Sequence, residues 1–152
     1  MRGVYTGIRA VTSATLGDLL EVIPAANTVI EILRAEVTAD QETAEQLDFL
    51  LAKSSVAGSG TPTTITPQKS EAGDQAAAAT LQHTPSVAAT LVTTYNDRKW
   101  VPNAAGVYML VQPEERVYCG GGTNDKSIVV RLNSTPANAI NAVVLLRWRE
   151  IR

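Results

Sequence analysis

Cysteine, histidine and aromatic residues are scarce in this sequence of 152 residues. It holds one cysteine, one histidine and only 5% Phe, Trp and Tyr. A single cysteine excludes an internal disulfide framework and a zinc site built from several thiolates. A single histidine excludes most metal centres, including those of cupin-like barrel enzymes, and most triad chemistry. We therefore expect a protein that is not an enzyme and that holds no cofactor and no metal.

Long apolar runs and an excess of basic residues are also missing. No run approaches the roughly 18 residues of a membrane-spanning helix, and residues 1–9 lack the charged-then-apolar layout of a secretion signal. The formal net charge is -2 and the isoelectric point is near 5.4, so there is no electrostatic footprint for nucleic acid. We expect a protein that binds neither membranes nor nucleic acid.

Apolar residues, by contrast, make up 45% of the chain, which is enough for the core of one domain spanning residues 1–152. They occur in short runs separated by turn-forming residues at intervals of about eight to twelve residues, a rhythm typical of an antiparallel β-sandwich or barrel. The sequence therefore predicts an all-β fold. The predicted strands are residues 4–11, 18–23, 28–37, 47–51, 63–66, 80–82, 89–95, 99–101, 106–111, 116–119, 127–132 and 139–148.

The stretch from residue 39 to residue 53 is the most ambiguous part of this assignment. It is rich in helix-forming residues, and Leu47, Leu50 and Leu51 also fit helical spacing. A strand over residues 47–51 is favoured because the run is short and the other elements are strand-like.

Residues 54–88 differ in composition from the rest of the chain. They are rich in Gly, Pro, Ser, Thr and Ala and carry few large apolar side chains. This predicts a long irregular central segment within the single domain. A connection of this length in a compact domain is more often functional than idle, so we interpret residues 54–88 as either a surface loop or an interaction segment.

Three segments near the carboxyl end, residues 107–111, 128–130 and 142–148, carry apolar side chains on both faces of a strand. An antiparallel strand of a sandwich is normally apolar on its inner face alone. Here Val129, Val143 and Leu145 alternate with apolar neighbours, and continuous exposed apolar patches are rare on monomers. Either residues 54–88 or a neighbouring subunit has to cover the second face. We favour a neighbouring subunit, and therefore a homo-oligomer.

Charge is unevenly distributed along the chain. Residues 1–74 hold ten acidic and five basic side chains, and residues 75–152 hold five acidic and eight basic ones. The acidic residues concentrate at 36–48, and basic residues are frequent at 147–152. This pattern indicates two solvated faces; the alternative is that the acidic loop of one protomer meets the basic edge of another.

The lone histidine and the lone cysteine are the first candidates for chemistry. His83 lacks a nucleophile motif of the Gly-x-Ser-x-Gly type, so we interpret it as a surface or interface histidine. Cys119 precedes Gly120, Gly121 and Gly122 at the end of a predicted strand, which predicts a buried, inert thiol.

The remaining polar candidates do not assemble into a site either. Glu114 and Glu115 are adjacent and would point apart on an extended segment, and the acidic residues of 36–48 do not follow the spacing of a calcium loop. Asp74, residues 124–125 and the acceptor-like residues 133–135 are interpreted as turns. No catalytic, cofactor-binding or metal-binding residue is assigned.

The order of strands and turns resembles a known family. The residues that carry the resemblance are 5–11, 17–22, 63–67, 73–77, 106–108, 113–116 and the Ala-rich closing strand 139–148. This series resembles small head proteins of tailed bacteriophages, the capsid decoration or cement proteins with jelly-roll-like folds.

The resemblance implies a structural virion protein with a jelly-roll sandwich and no catalytic residues. It implies a homo-oligomer, with a trimer favoured over a dimer. It also implies a protein that is made in the host cytoplasm and located on the capsid exterior, with the phage major capsid protein as partner. The alternative is a carbohydrate-binding or host-adhesion β-sandwich. In that case Tyr95, Trp100, Tyr108 and Trp148 would be the stacking platforms.

Overall fold

The computed structural model describes residues 3–13, 15–40, 45–92, 98–100, 107–109 and 117–151, and the side chains of residues 40, 98–100 and 107–109 are not part of that description. Every described element is a β-strand, so the prediction of an all-β fold is confirmed. The strands are β1 (Val4–Ser13), β2 (Gly17–Ile23), β3 (Val29–Asp40), β4 (Phe49–Val56), β5 (Thr63–Ile65), β6 (Gln68–Lys69), β7 (Thr80–His83), β8 (Thr90–Leu91), β9 (Arg98–Trp100), β10 (Val107–Met109), β11 (Tyr118–Cys119), β12 (Ser127–Leu132) and β13 (Ile140–Ile151). None of the described residues form a helix suited to crossing a membrane.

The strands form two antiparallel sheets that pack against each other. The first, called the β13 sheet after its central strand, has the order β10-β3-β13-β1-β6, with β11 also paired to β3. The second, called the β12 sheet, has the order β5-β7-β2-β12-β4-β8, with β9 also paired to β4. This is the predicted β-sandwich.

The winding of the chain is that of a jelly roll. Strands counted from the two ends of the chain pair with each other: β1 with β13, β2 with β12, β3 with β10 and β11, and β4 with β8 and β9. Successive pairs alternate between the two sheets. A long hairpin rolled up in this way is what defines the double Greek-key jelly roll.

The core lies between the sheets and follows the period-2 alternation of the strands. In β13, Ala142, Val144, Leu146 and Trp148 are buried, and the residues between them are exposed or half-buried. Trp148 packs against Tyr5 of β1 with the ring centroids 6.0 Å apart. Full burial of an aliphatic side chain contributes about 1.5–3 kcal/mol, so this interleaved layer is the main source of stability.

The ambiguous stretch 39–53 contains the end of β3 and the start of β4. β3 extends to Asp40, and β4 begins at Phe49 and continues to Val56, several residues beyond the predicted end. Leu47, Phe49 and Leu51 belong to the core. Within residues 45–53 the helical alternative is therefore wrong.

The connection between β4 and β8, residues 57–89, is more ordered than its composition suggests. The strands predicted near Ile65 and Leu81 are present as β5 and β7, and β6 is an additional short strand. β6 pairs with β1, whereas β7 pairs with β2 and β5 pairs with β7. The β4–β8 connection thus extends both sheets on the same side of the sandwich.

One side chain of this connection is part of the main core. Leu81 of β7 is fully buried, and a Cβ on Gly7 of β1 would lie 2.1 Å from its Cδ2 atom. Glycine at this position lets the connection pack tightly against β1.

Candidate interaction surfaces

The outer face of the β12 sheet is sealed. In the strand register Val129 of β12 lies beside Glu21 of β2 and Ala52 of β4, on the side opposite to the core residues Ile128 and Val130. All three outward residues are buried. The other buried residues on this face are Asp18, Leu50, Ser54, Gln82 and Ser127.

The carboxylate of Glu21 fastens the start of the β4–β8 connection, called its first arm, to this face. The backbone N–H of Gly58 donates to both carboxylate oxygens of Glu21, at 3.2 and 3.1 Å. Gln82 Nε2 donates to Glu21 Oε2 at 2.6 Å and to the Gly58 carbonyl at 2.9 Å. Ser127 Oγ donates to Glu21 Oε1. A buried carboxylate is tolerated when its lone pairs are satisfied in this way.

Asp18 fastens the end of the β4–β8 connection, called its second arm, to the same face. Its Oδ2 accepts the backbone N–H of Ala89 at 2.6 Å, and its Oδ1 accepts Arg131 Nε at 2.5 Å. Arg131 also donates to the Ala89 carbonyl at 2.6 Å. The two arms are joined by reciprocal backbone hydrogen bonds between Ser59 and Val87, at 2.9 and 3.0 Å.

A third buried carboxylate reaches the same connection from the β13 sheet. Glu150 accepts the backbone N–H of Ala78 at 3.0 Å with each carboxylate oxygen, and that of Ala79 at 2.9 Å. The path of residues 57–89 is therefore set at four backbone amides by carboxylates from β2 and β13. Hydrogen bonds with an ionised acceptor are stronger than neutral ones.

This arrangement corrects one expectation. Apolar side chains on both faces of β12 suggested a covering subunit, but Val129 is buried within its own chain. The β4–β8 connection supplies the cover, and β12 gives no reason to expect an oligomer.

The outer face of the β13 sheet is bare by contrast. Ile8 and Val143 are 53% and 47% exposed, Ala10 is exposed and Leu145 is half-buried. Ile8 lies opposite Leu145, and Ala10 lies opposite Val143, in the antiparallel pairing of β1 with β13. These four residues form a contiguous group on the sheet, called the aliphatic patch below.

Positive charge borders the aliphatic patch. Arg147 is the next outward residue of β13 and is exposed, and within the part of the chain that the structure describes it forms no ion pair. Arg34 pairs with Glu36, and Arg149 lies 3.5 Å from Glu31, to which Tyr118 also donates at 3.2 Å. Among the described side chains of this face, the carboxylates of Glu31 and Glu36 are both paired, and Arg147 presents a cation to solvent.

The described acidic side chains at 36–48, those of Glu36, Glu45 and Asp48, make contacts within the chain. Asp48 accepts Asn133 Nδ2 at 3.0 Å, and the backbone N–H of Asp48 donates to Ser134 Oγ, also at 3.0 Å. Glu45 accepts the backbone N–H of Ala137 with both oxygens at 3.1 Å. These bonds attach the β12–β13 turn to the residues before β4, which gives the described acidic residues an intramolecular role.

His83 is not on the surface, contrary to its sequence interpretation. It ends β7 and is 7% exposed, with Nδ1 2.8 Å from Thr84 Oγ1. Burial, together with the nearby Arg9 cation, lowers the pKa of His83 from its ordinary value. The sequence missed this burial because the neighbouring polar residues suggested a loop.

Cys119 is buried, as predicted. Its Sγ donates to the Asp125 carbonyl at 3.0 Å, and burial raises the pKa of the thiol to about 12. A thiol with such a pKa is almost entirely protonated near neutral pH and is a poor nucleophile.

The turn interpretations hold where the structure describes them. Asp125 lies in the turn after Gly120, where its carboxylate accepts the Gly120 N–H at 2.8 Å and pairs with Lys53 at 3.0 Å. The N–H of Asp74 closes a turn on the Glu71 carbonyl at 3.1 Å. Glu114 and Glu115 lie outside the described residues. Across the described ranges no three His, Cys, Asp or Glu side chains are grouped to hold a metal.

The aromatic residues give no support to a sugar-stacking groove. Trp148 is fully buried against Tyr5, so it is not a stacking platform. Tyr95, and the side chains of Trp100 and Tyr108, lie outside the description. A recess of about 160 Å³ beside Asp18 and Thr84 is smaller than typical ligand pockets of roughly 300–1,000 Å³.

Comparison with protein-family models, with curated proteins and with solved structures finds no match to this chain. Function is therefore inferred from the jelly-roll winding and from the two outer faces of the sandwich.

Proposed function

We propose that this chain is a structural virion protein that binds the outside of a tailed-phage capsid as a homo-oligomer. It stabilises the shell by bridging neighbouring subunits of the major capsid protein and catalyses no reaction. The proposal is supported by the resemblance to capsid decoration proteins and by the jelly-roll topology, an architecture used widely by viral capsid proteins.

The observation that carries the proposal is the difference between the two outer faces. One face is sealed by the β4–β8 connection, whereas the other presents Ile8, Ala10, Val143 and Leu145 on two regularly paired strands. An exposed aliphatic face bordered by arginine suits contact with another protein surface. It does not suit a small ligand, which needs a concave site.

The two faces lie on opposite sides of the sandwich, so two different partners are able to bind together. We assign contact with the shell to the exposed residues of the β4–β8 connection, which include Thr61, Thr64 and Gln75. We assign self-association to the outer face of the β13 sheet, which carries the aliphatic patch. A standard interface buries about 1,600 Å² in total, and repetition over a capsid lattice converts modest contacts into high avidity.

The carbohydrate-binding alternative has less support. Of the four residues that it would use for stacking (Tyr95, Trp100, Tyr108 and Trp148), Trp148 is the one whose side chain is described, and it is inside the core.

The test is co-sedimentation with capsids of the phage that encodes this chain, prepared without it. We expect saturable binding and a higher temperature of capsid rupture after the chain is added back. Thr61→Arg in the β4–β8 connection should weaken binding at least about tenfold, equivalent to about 1.4 kcal/mol. Asn124→Arg, at an exposed turn that belongs neither to the β4–β8 connection nor to the aliphatic patch, is the matched control and should bind normally. Failure of the unmodified protein to bind intact shells would refute the proposal.

A further inference from the structure

β1 is an edge strand over most of its length. It pairs with β13 along one side from Val4 to Ser13 without a break in register. On its other side β6 pairs with it only at Tyr5 and Thr6. β6 is short because it begins at Gln68, directly after a proline, and the chain arrives there from β5 of the other sheet. No described segment therefore pairs with this side of β1 beyond Thr6, and this part of the strand is called the open edge below.

The residues that direct backbone groups towards the open edge follow from one hydrogen bond beside β6. The carbonyl of Val4 accepts the N–H of Ser70 at 2.8 Å. In an antiparallel strand the N–H and C=O of one residue point to the same edge, and those of the next residue point to the opposite edge. Ile8, Ala10 and Thr12 therefore direct their N–H and C=O groups to the open edge. All three residues are exposed, so these groups form a template for another strand.

The strands around the open edge carry positive charge and no acidic residue. β1, β5, β6 and β7 lie on this side of the sandwich, and their sequences hold Arg9 and Lys69 but neither Asp nor Glu. Both cations are exposed, and within the described part of the chain neither forms an ion pair. The whole chain has 15 acidic and 13 basic residues, so this side is cationic against the overall balance.

The described carboxylates near these strands are engaged elsewhere. Asp18 and Glu21 of β2 are buried on the outer face of the β12 sheet and accept backbone N–H groups there. Asp74 lies against Gly3, before the first residue of β1, and its N–H closes a turn on the carbonyl of Glu71. The positive charge of Arg9 is therefore available to a partner.

We propose that the open edge of β1 binds an extended acidic segment of another protein, which adds a strand to the β13 sheet in line with β6. Its backbone pairs with Ile8, Ala10 and Thr12, as in other cases of strand addition. Its side chains alternate between the two faces of the sheet. Carboxylates lie on the face that Arg9 shares with Val11, and apolar side chains lie on the face of Ile8 and Ala10. The fitting sequence thus alternates acidic and apolar residues.

Charge is also the reason that the occupant is not a second copy of β1. Two β1 strands paired antiparallel about Ala10 would place their Arg9 residues on one face, as diagonal neighbours about 7–8 Å apart. None of the strands around the open edge supplies a carboxylate to separate them. An inward-pointing charge on an edge strand opposes pairing between identical edges. The same charge attracts an acidic segment.

The test uses the full chain and a peptide of alternating valine and glutamate, blocked at both ends and about eight residues long, within the usual range of strand lengths. We expect saturable binding in an NMR titration. The amides of Ile8, Ala10 and Thr12 should exchange with solvent more slowly when the peptide is bound. Those of Arg9 and Val11, which point to β13, are the internal control and should not change. The same peptide with lysine in place of glutamate should bind at least about tenfold more weakly.

Three variants assign the binding to the open edge. Ala10→Pro removes an N–H that points to the open edge and none that pairs with β13, so it should weaken the glutamate peptide at least about tenfold, and urea denaturation checks that the variant folds. Arg9→Glu should weaken the glutamate peptide and strengthen the lysine peptide, an inversion that misfolding would not imitate. Lys126→Glu makes an equal change of charge at an exposed residue outside these strands, and as the matched control it should leave both affinities unchanged.

Absence of saturable binding of the glutamate peptide would refute the inference, and Arg9 would then only protect the edge from pairing. So would equal binding of the two peptides, or equal effects of Arg9→Glu and Lys126→Glu. Slow exchange of the Ala10 amide that develops without peptide as the chain is concentrated would identify a second copy as the occupant instead. The inference does not depend on capsid binding. Peptide binding by a chain that fails to bind capsids would refute the proposed function alone, and the reverse result would refute this inference alone.

Discussion

The outer faces of the β12 and β13 sheets begin from the same kind of sequence and end in opposite environments. Val129 and Val143 each follow an apolar residue and point away from the core. Val129 is fully buried, whereas Val143 is 47% exposed. Nothing in the two strands causes this difference. It arises because the β4–β8 connection crosses the β12 sheet, while no described segment crosses the aliphatic patch.

The contacts that hold the β4–β8 connection on the β12 sheet predict how the two faces respond to substitution. The β4–β8 connection is poor in large apolar residues, and it is fastened mainly by backbone amides that donate to buried carboxylates. Removing one partner of such a bond leaves a buried polar group unsatisfied, at a cost of about 1–3 kcal/mol. Single substitutions of polar residues should therefore lower the free energy of unfolding on the sealed face and change it little on the bare face.

The largest effect is expected at Glu21. Glu21→Ala removes the acceptor for Gly58, Gln82 and Ser127, and should lower the free energy of unfolding by about 3 kcal/mol or more, since bonds to charged groups contribute about 1.5–3 kcal/mol each. Urea denaturation measures the loss, and hydrogen exchange should show faster exchange of the Gly58 amide. Glu71→Ala, at an exposed position in the same connection, should change stability by no more than about 0.5 kcal/mol. Equal effects of the two variants would contradict the role of Glu21 as an anchor.

A matched pair of substitutions compares the two faces directly. Val129→Thr places a hydroxyl in a sealed environment and should lower the free energy of unfolding by about 1–3 kcal/mol. Val143→Thr makes the same chemical change on the bare face and should cost less than about 0.5 kcal/mol in the monomer. Both are measured by chemical denaturation at a concentration where the chain is monomeric. If Val143→Thr cost as much as Val129→Thr, the bare face would have to be covered within the chain.

The smallest effect on stability is expected at His83, which lies in the β4–β8 connection. Burial and Arg9 lower its pKa in the folded state from the ordinary value of 6.5, so the unfolded chain binds the proton more readily. The stability that the fold gains by keeping His83 neutral is fully present above the unfolded pKa of about 6.5. It is lost as the pH falls from there towards the lower pKa of the folded state. Thermal unfolding from pH 7.5 to pH 5.5 should show a slight loss of stability that His83→Gln reduces. An unchanged slope in the variant would assign the effect to other groups.

Local patterns in the sequence predicted most of the strands. The range 127–132 of β12 is identical to its prediction, and the first strand was predicted with its correct start at Val4. The helix-like composition before β4 did not prevent a correct strand prediction, because Leu47, Phe49 and Leu51 also alternate along the chain. Their side chains share one face and belong to the core. The short strand β6 was missed, since two residues carry no periodicity and are held only by pairing with β1.

The failures concern burial by residues distant in sequence. His83 was interpreted as a surface or interface histidine, and cover of Val129 by a neighbouring subunit was favoured over cover by residues 54–88; both residues are buried within their own chain. The three anchoring carboxylates were also missed. Asp18, Glu21 and Glu150 are isolated acidic residues in their strands, and the backbone amides that donate to them lie 37 to 72 positions away.

Alternation and turn chemistry are local properties, so the amino-acid order alone specified the strands, the antiparallel sandwich and the residues that share a face of each strand. Whether a face meets solvent, another segment or another molecule depends on the route of a connection whose own residues have weak preferences. That route was set by packing at Gly7 and Leu81 and by the carboxylates of Asp18, Glu21 and Glu150, which act only once the jelly roll has brought distant strands together.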